Sequence, residues 1–333
     1  MESAPTTVSV LLPVRNGSAT IARAIDSILA QTLQDWELII VNDGSTDDTA
    51  AALAGFDDPR ITIIDQAAMG IVPALNLAVS RARSPFLARM DADDWSAPTR
   101  LEKQAAYLSD RPERALVSCL VAHEGNDEQE GYRYHVDRIN ELLSHEQMAA
   151  RRFEDAPVAH PSVMLRTSAL EEVGGYRNGD FPEDFELWLR LLDRGYMFAK
   201  LPEVLLHWYD HDARLSRQDA RYAPAAFFGQ KAAYFKKWHE QQEQQHPIWV
   251  CGSGRQVRQR VAQLEEAGLP IAGLVDVKEA GPGTTWPVIG YEELSRESHP
   301  LLISLIGDRE GKKRLEVFAH ERGYTEGKDF WFM

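Results

Sequence analysis

Pro85-Phe86-Leu87-Ala88-Arg89-Met90-Asp91-Ala92-Asp93-Asp94 runs from an apolar stretch straight into three carboxylates within four positions. The apolar part reads as a buried strand, with the carboxylates crowded at its end. Clustered carboxylates repel one another and are costly to desolvate. A divalent cation relieves both problems, because hard oxygen donors suit Mg²⁺ or Mn²⁺. In an open α/β sheet, ligands bind at the carboxyl ends of the strands. Asp91-Ala92-Asp93 therefore reads as a metal site that meets a phosphorylated ligand. The same residues would also suit a solvated acidic turn ahead of a helix from Pro98, and the motif by itself leaves both readings open.

Outward from this stretch the pattern is regular. Val8-Ser9-Val10-Leu11-Leu12 is a strand ended by Pro13, and Ile21, Ala24, Ile25, Ile28 and Leu29 mark a helix within 17–32. A second strand over 37–42 is closed by Asp43-Gly44-Ser45-Thr46-Asp47. A third strand over 61–64 and a helix over 72–82 follow. Continuous apolar strands alternating with amphipathic helices predict an α/β fold: a parallel sheet with helices on both faces, of the nucleotide-binding type. Beyond it, helices are expected over 99–109, 138–153 and 185–194, a strand over 115–122 and a polar loop over 125–131. The polar stretch 239–247 reads as a boundary, and strand–helix alternation restarts at Ile248. The expected organisation is a first domain over 1–240, a linker over 241–247 and a small Rossmann-like α/β domain over 248–333.

The net charge of −15 lies mostly in residues 1–247, since 248–333 holds 11 Lys/Arg against 13 Asp/Glu. An acidic surface argues against general nucleic-acid binding. An anionic substrate would need a metal or local arginines to hold it. No stretch approaches the ~20 apolar residues of a membrane span, and the first residues lack the pattern of a secretory signal. Cys119 and Cys251 sit in separate apolar runs and read as reduced core residues of a cytosolic protein.

Four further features carry candidate chemistry, each with a plainer reading. Asp43 ends a strand on the same sheet edge as Asp91 and Asp93, where its carboxylate could accept from a base N–H or a ribose hydroxyl; Asp43-Gly44 is also an ordinary turn pair. Glu183-Asp184 opens a helix, either as acids favoured by the helix dipole or as a rigidly placed general base. Gly252-Ser253-Gly254 followed by Asp276 resembles the start of a dinucleotide fingerprint, but Val257 stands where the third small residue belongs, which favours a structural module. The aromatic and basic mixture over 221–238 fits core packing better than a membrane surface.

Taken together, the chain from Val8 to about Ser216 resembles the family 2 glycosyltransferases of the GT-A fold. The matching blocks are Val8–Gly17, Val41–Asp47, Arg89–Asp94 with Pro98, Arg100-Leu101 and Gln104, His160-Pro161-Ser162, Gly174-Gly175-Tyr176, Glu183-Asp184, and His211 with Leu215-Ser216. The resemblance implies that Pro13, Arg15, Asn16, Asp43, Asp91 and Ala92 line a nucleotide-sugar donor. It implies that Asp93 and His211 hold Mn²⁺ or Mg²⁺ at the diphosphate, and that Asp184, with Glu183 beside it, is the catalytic base. Many relatives have an Arg two positions before the histidine, where this chain has Tyr209; Arg214 or Arg217 could supply what that Arg does. The Gln-x-x-Arg-Trp motif of processive members is absent.

The expected activity is a metal-dependent, inverting hexosyl or N-acetylhexosaminyl transfer in glycan or polysaccharide biosynthesis. The donor would be a nucleotide-diphosphate sugar, with UDP favoured. The acceptor would be a hydroxyl on a glycan, a lipid-linked glycan or a small molecule. A cytoplasmic protein is expected, with peripheral contact at the inner face of the membrane and a homo-oligomer both compatible with the sequence. Two other readings are a non-catalytic sugar-nucleotide-binding assembly protein and a sugar-1-phosphate nucleotidyltransferase. The second would want a Gly-rich basic loop where Pro13-Val14-Arg15-Asn16-Gly17 stands.

Overall fold

The computed structural model describes residues 6–125, 130–211, 214–277, 285–294 and 300–333. The chain divides into two compact units, Met1–Met148 with Pro157–Tyr222, and Ala149–Ala156 with Ala223–Met333.

The first unit is built on one sheet. Its strands are β1 (Val8–Val14), β2 (Trp36–Asp43), β3 (Ile61–Gln66), β4 (Phe86–Arg89), β5 (Trp95–Ser96), β6 (Arg114–Gly125), β7 (Met164–Arg166) and β8 (Met197–Asp210). Their spatial order is β3-β2-β1-β4-β7-β6-β8-β5. The first four are mutually parallel. β7 then runs antiparallel to both β4 and β6, so the whole sheet is mixed. Every residue of β2 is buried, as expected for a strand covered on both faces. Ile21, Ala24, Ile25 and Ile28 face the core from the helix Ile21–Leu29, matching their helical spacing.

Register decides what meets at the sheet's end. Val14 lies opposite Asn42 and Leu11 opposite Arg89, so Asn16, Asp43 and Asp91 emerge together. β5 pairs antiparallel with β8, Trp95 opposite His207, which sets the turn at 91–94 beside Tyr209 and His211. Buried Gln31 fixes this corner. Its Nε2 donates to the Ala97 carbonyl at 2.8 Å and its Oε1 accepts from the Leu101 N–H at 3.0 Å.

The helix expected over 138–153 is two helices, Glu130–Glu141 and His145–Ala150. A capping box restarts it: Gln147 N–H donates to Ser144 Oγ at 3.2 Å, and Gln147 Oε1 accepts from the Ser144 N–H at 2.9 Å. Most of the polar loop expected over 125–131 lies outside the described residues.

The second unit has a five-stranded, all-parallel sheet: β9 (Ile248–Cys251), β10 (Ile271–Val275), β11 (Val288–Ile289), β12 (Leu301–Ser304) and β13 (Phe330–Phe332), in the order β11-β10-β9-β12-β13. The helix Pro224–Glu240, placed by its sequence position at the end of the first domain, belongs to this unit. The reason is aromatic packing: Trp331 meets Trp238 at 4.7 Å, Phe153 at 5.1 Å and Phe235 at 6.0 Å between ring centroids. Arg151 ties the 149–156 segment in by pairing with Glu154, Glu316 and Glu326. Both cysteines are free and buried. Among the described residues, no helix is long and apolar enough to cross a membrane.

Two expectations follow. Gly44 has φ +63, and a Cβ there would stand 2.6 Å from the Ala68 backbone nitrogen. Left-handed backbone alone costs an L-residue roughly 1–2 kcal/mol, so Gly44→Ala should lower stability by at least that much in urea unfolding; a midpoint equal to wild type would contradict the geometry. A fragment ending near Gln245 strips Phe153, Phe235 and Trp238 of Trp331, and exposed aromatic surface of this kind promotes association. It should elute as aggregates on size exclusion, and a monodisperse, cooperatively unfolding fragment would refute this.

Candidate active site

The loops after β1 and β2 are stitched to each other by side chains. Asn16, at φ 53, accepts from the Thr46 N–H at 2.8 Å, and its own N–H donates to Ser45 Oγ at 2.9 Å. Asp43 is buried and accepts from Gln66 Nε2 at 2.6 Å and from the Met69 and Gly70 N–H groups at 2.8 and 2.9 Å. Its carboxylate therefore folds the loop after β3 over the end of β2. Arg15 stays exposed on the same rim, with Pro13 half-buried beneath it.

Ligand atoms of Asp91, Asp93 and Asp94 lie within 4.8 Å of one another. Asp91 and Asp93 are half-buried; Asp94 is fully buried. Asp94 Oδ1 accepts from the Tyr209 N–H at 3.0 Å, while its buried Oδ2 has no hydrogen-bond partner. Burial, with Asp93 and Asp91 adding repulsion, holds the Asp94 carboxyl well above the usual carboxylate range. Burial also opposes ionisation of Asp91, but the Arg89 and Arg214 guanidiniums outweigh it and hold its carboxyl low. Arg89 Nη2 donates to Asp91 Oδ1 at 2.6 Å. His211 Nε2 lies 2.8 Å from Asp93 Oδ2. Three convergent carboxylates, one with a buried, unpaired oxygen, and an imidazole at their rim form a donor set that fits Mg²⁺ or Mn²⁺.

Two more arginines complete this corner. Arg214 Nη1 lies 3.3 Å from Asp94 Oδ1, and its Nη2 lies 3.3 Å from Asp91 Oδ2. Arg23 donates to the Asp93 carbonyl at 2.6 Å and stacks 3.5 Å from the ring centroid of Tyr209. A guanidinium thus stands at the Tyr209 position, delivered by the first helix. Arg217 instead pairs with Asp210.

The helix Glu183–Asp193 begins without a side-chain cap at Pro182, and its two leading acids, Glu183 and Asp184, stand in its first turn. Glu183 Oε2 accepts from Tyr222 Oη at 2.6 Å, and His160 Nδ1 lies 3.8 Å from Glu183 Oε1. His160 Nε2 meets the Tyr176 hydroxyl at 2.9 Å. Burial, with Arg89 nearby, drives the His160 imidazole well below its ordinary value. Asp184 Oδ1 accepts from the Phe185 N–H at 2.7 Å. Burial first, then the Glu183 charge, pushes the Asp184 carboxyl up to about 8. Such a carboxylate takes up a proton near neutral pH, as general-base chemistry requires.

Asp91, Asp93, Asp94, Glu183, Asp184 and His211 all belong to the first unit. Asp94, Arg89, Tyr222 and His160 were not among the expected functional residues; Arg214 was, as one of two candidates to replace the Arg missing at Tyr209. A charged residue inside the apolar run at Arg89 was the available signal; nothing local marks Tyr222. In the second unit, Ser253 Oγ donates to Asp276 Oδ2 at 2.6 Å, and Val257 packs 3.1 Å from where a Gly252 Cβ would stand. That turn is closed by its own side chains. Phe228 and Phe235 of the helix Pro224–Glu240 are buried, consistent with core packing.

Residues 9–174 match the family model "Glycosyl transferase family 2". EpsE of Bacillus subtilis (strain 168) is 32% identical over 232 residues, 67% of this chain and 80% of that protein. The O-antigen biosynthesis glycosyltransferase WbnJ of Escherichia coli is 31% identical over 228 residues, 66% of this chain and 86% of that protein. In structure the chain is similar to S. aureus TarS 1-349, with a TM-score of 0.54 at 16% identity over 69% of this chain and 65% of that one. These likenesses and the mixed eight-stranded sheet place this chain among the glycosyltransferases of family 2, with the GT-A fold.

Proposed function

We propose that this enzyme transfers a hexosyl or N-acetylhexosaminyl group from a nucleotide-diphosphate sugar, UDP favoured, to a hydroxyl acceptor with inversion at the anomeric carbon, in polysaccharide biosynthesis. The observation that carries the reading is one proton-accepting carboxylate, Asp184, raised to about 8 and standing within the field of Asp91. One base suffices for inversion, because the acceptor oxygen attacks the anomeric carbon directly. As the new bond to that carbon forms, Asp184 takes the hydroxyl proton, and the bond to the diphosphate oxygen breaks. Glu183, fixed by Tyr222, keeps a second acid beside the base and raises its proton affinity.

Asp91, Asp93, Asp94 and His211 would hold Mn²⁺ or Mg²⁺. Bound there, the ion would offset charge developing on the leaving diphosphate. Pro13, Arg15, Asn16, Asp43 and Ala92 would line the nucleoside side. Similar structures support a nucleotide-sugar donor: TarS 1-349 has been solved with UDP-GlcNAc, at TM-score 0.53, and the Pyrobaculum calidifontis mannosyltransferase PcManGT with GDP-Man and Mn²⁺, at TM-score 0.51. WbnJ and the Erwinia amylovora protein AmsE, named for O-antigen and amylovoran biosynthesis, support polysaccharide assembly.

A thermal-shift screen of nucleotide sugars with and without Mn²⁺ tests the reading. A ligand at 100 times its Kd adds about 2.7 kcal/mol of stability, and no response to any UDP- or GDP-sugar would sink it. Asp93→Ala should abolish turnover and remove the Mn²⁺-dependent part of nucleotide binding; unchanged affinity in Mn²⁺ would disprove the metal assignment. The base must be ionised to work, so kcat/KM for the donor should rise with pH and level off above about 8. Asp184→Asn should lower the rate by roughly 10²-fold or more and flatten that acid limb. A variant with the wild-type rate and profile would return Asp184 to a structural role.

A further inference from the structure

Arg214 occupies an unusual place for a cation. It is buried, and its guanidinium faces all three carboxylates of the acidic cluster: 3.3 Å from Asp91 Oδ2, 3.3 Å from Asp94 Oδ1 and 3.8 Å from Asp93 Oδ2. It is also locked in position. Nη1 donates to the Tyr209 carbonyl at 2.5 Å, and the guanidinium stacks 4.6 Å from the Trp208 ring centroid. Arg89, equally buried, approaches Asp91 from the sheet side at 2.6 Å. Two fixed positive charges therefore already face three carboxylates.

That balance has a consequence for ligands. A divalent cation entering alone would bring two further positive charges against a guanidinium that cannot move away into water. Like charges this close in a partly desolvated site repel strongly. A diphosphate entering with the cation supplies the missing negative charge, and guanidinium N–H groups are well suited to phosphate oxygens.

We propose that Arg214 is a built-in counter-ion that couples metal binding to donor binding: it weakens the site for the free cation and positions the donor's diphosphate once cation and nucleotide arrive together. The inference rests on the donor reading above and deepens it. Arg214 is a positioning residue here, and metal and nucleotide are expected to bind as a unit.

The test measures Mn²⁺ and nucleoside diphosphate binding separately, by calorimetry and by Mn²⁺ electron paramagnetic resonance, on wild type, Arg214→Met and Arg214→Lys. In wild type, UDP or GDP should tighten Mn²⁺ binding at least tenfold. In Arg214→Met, Mn²⁺ alone should bind about tenfold more tightly, while UDP or GDP in saturating Mn²⁺ binds at least tenfold more weakly. Arg214→Lys, which keeps the charge, should restore most of the coupling. Opposite signs for the two ligands separate this role from structural damage, which would loosen both. Folded Arg214→Met with unchanged or weaker affinity for Mn²⁺ alone overturns the inference, and so does coupling as strong as wild type. Should Arg214→Met not fold, Arg214→Lys with no coupling left would overturn it too. Wild type that binds neither nucleotide in Mn²⁺ would overturn the donor reading, and this inference with it.

Discussion

The first unit depends on a charge balance at the end of β4. Asp91, Asp93 and Asp94 leave the sheet in one turn; Arg89 pairs with Asp91, and Arg214 faces all three. Neither half is tolerable alone. Removing one partner of a buried ion pair leaves an uncompensated charge and costs roughly 3–5 kcal/mol. The two arginines reach the turn from distant parts of the chain, Arg89 from β4 itself and Arg214 from the segment beyond β8. The balance therefore holds only when the sheet is complete.

The same turn links fold to chemistry through several buried polar side chains. Arg100 donates to the Pro161 carbonyl at 2.5 Å and to the Arg89 carbonyl at 3.2 Å. Gln104 donates to the Ser162 carbonyl at 2.8 Å. Arg190 donates to the Gly175 carbonyl at 2.9 Å and pairs with Glu186, which sets Tyr176 against His160. Several motif residues that mark the family in sequence thus serve as internal scaffolding. They hold the loops that carry the acids.

Environment also separates the carboxylates by proton affinity. Asp91, facing two guanidiniums, stays ionised; Asp184, buried beside Glu183, holds its proton to about 8. Two acids of one residue type thus differ in proton affinity because their surroundings differ.

The sequence by itself determined the alternation of strands and helices through β4, the acidic turn at Asp91, the acids opening the helix at Glu183, and the family. Those features are local: hydrophobic period, residue type and short spacing carry them. The capping box at Ser144 was also legible, but the surrounding helical pattern masked it. Only the tertiary structure decided the antiparallel entry of β7, the assignment of the helix Pro224–Glu240 to the second unit, and the convergence of Arg23, Arg214, His160 and Tyr222 on the site. β7 has three residues, too few for a periodic signal. Trp331 recruits Phe153 and Phe235 from segments far away in sequence. The proton affinity of Asp184 depends on burial and on charges from other elements, and no window of sequence contains those.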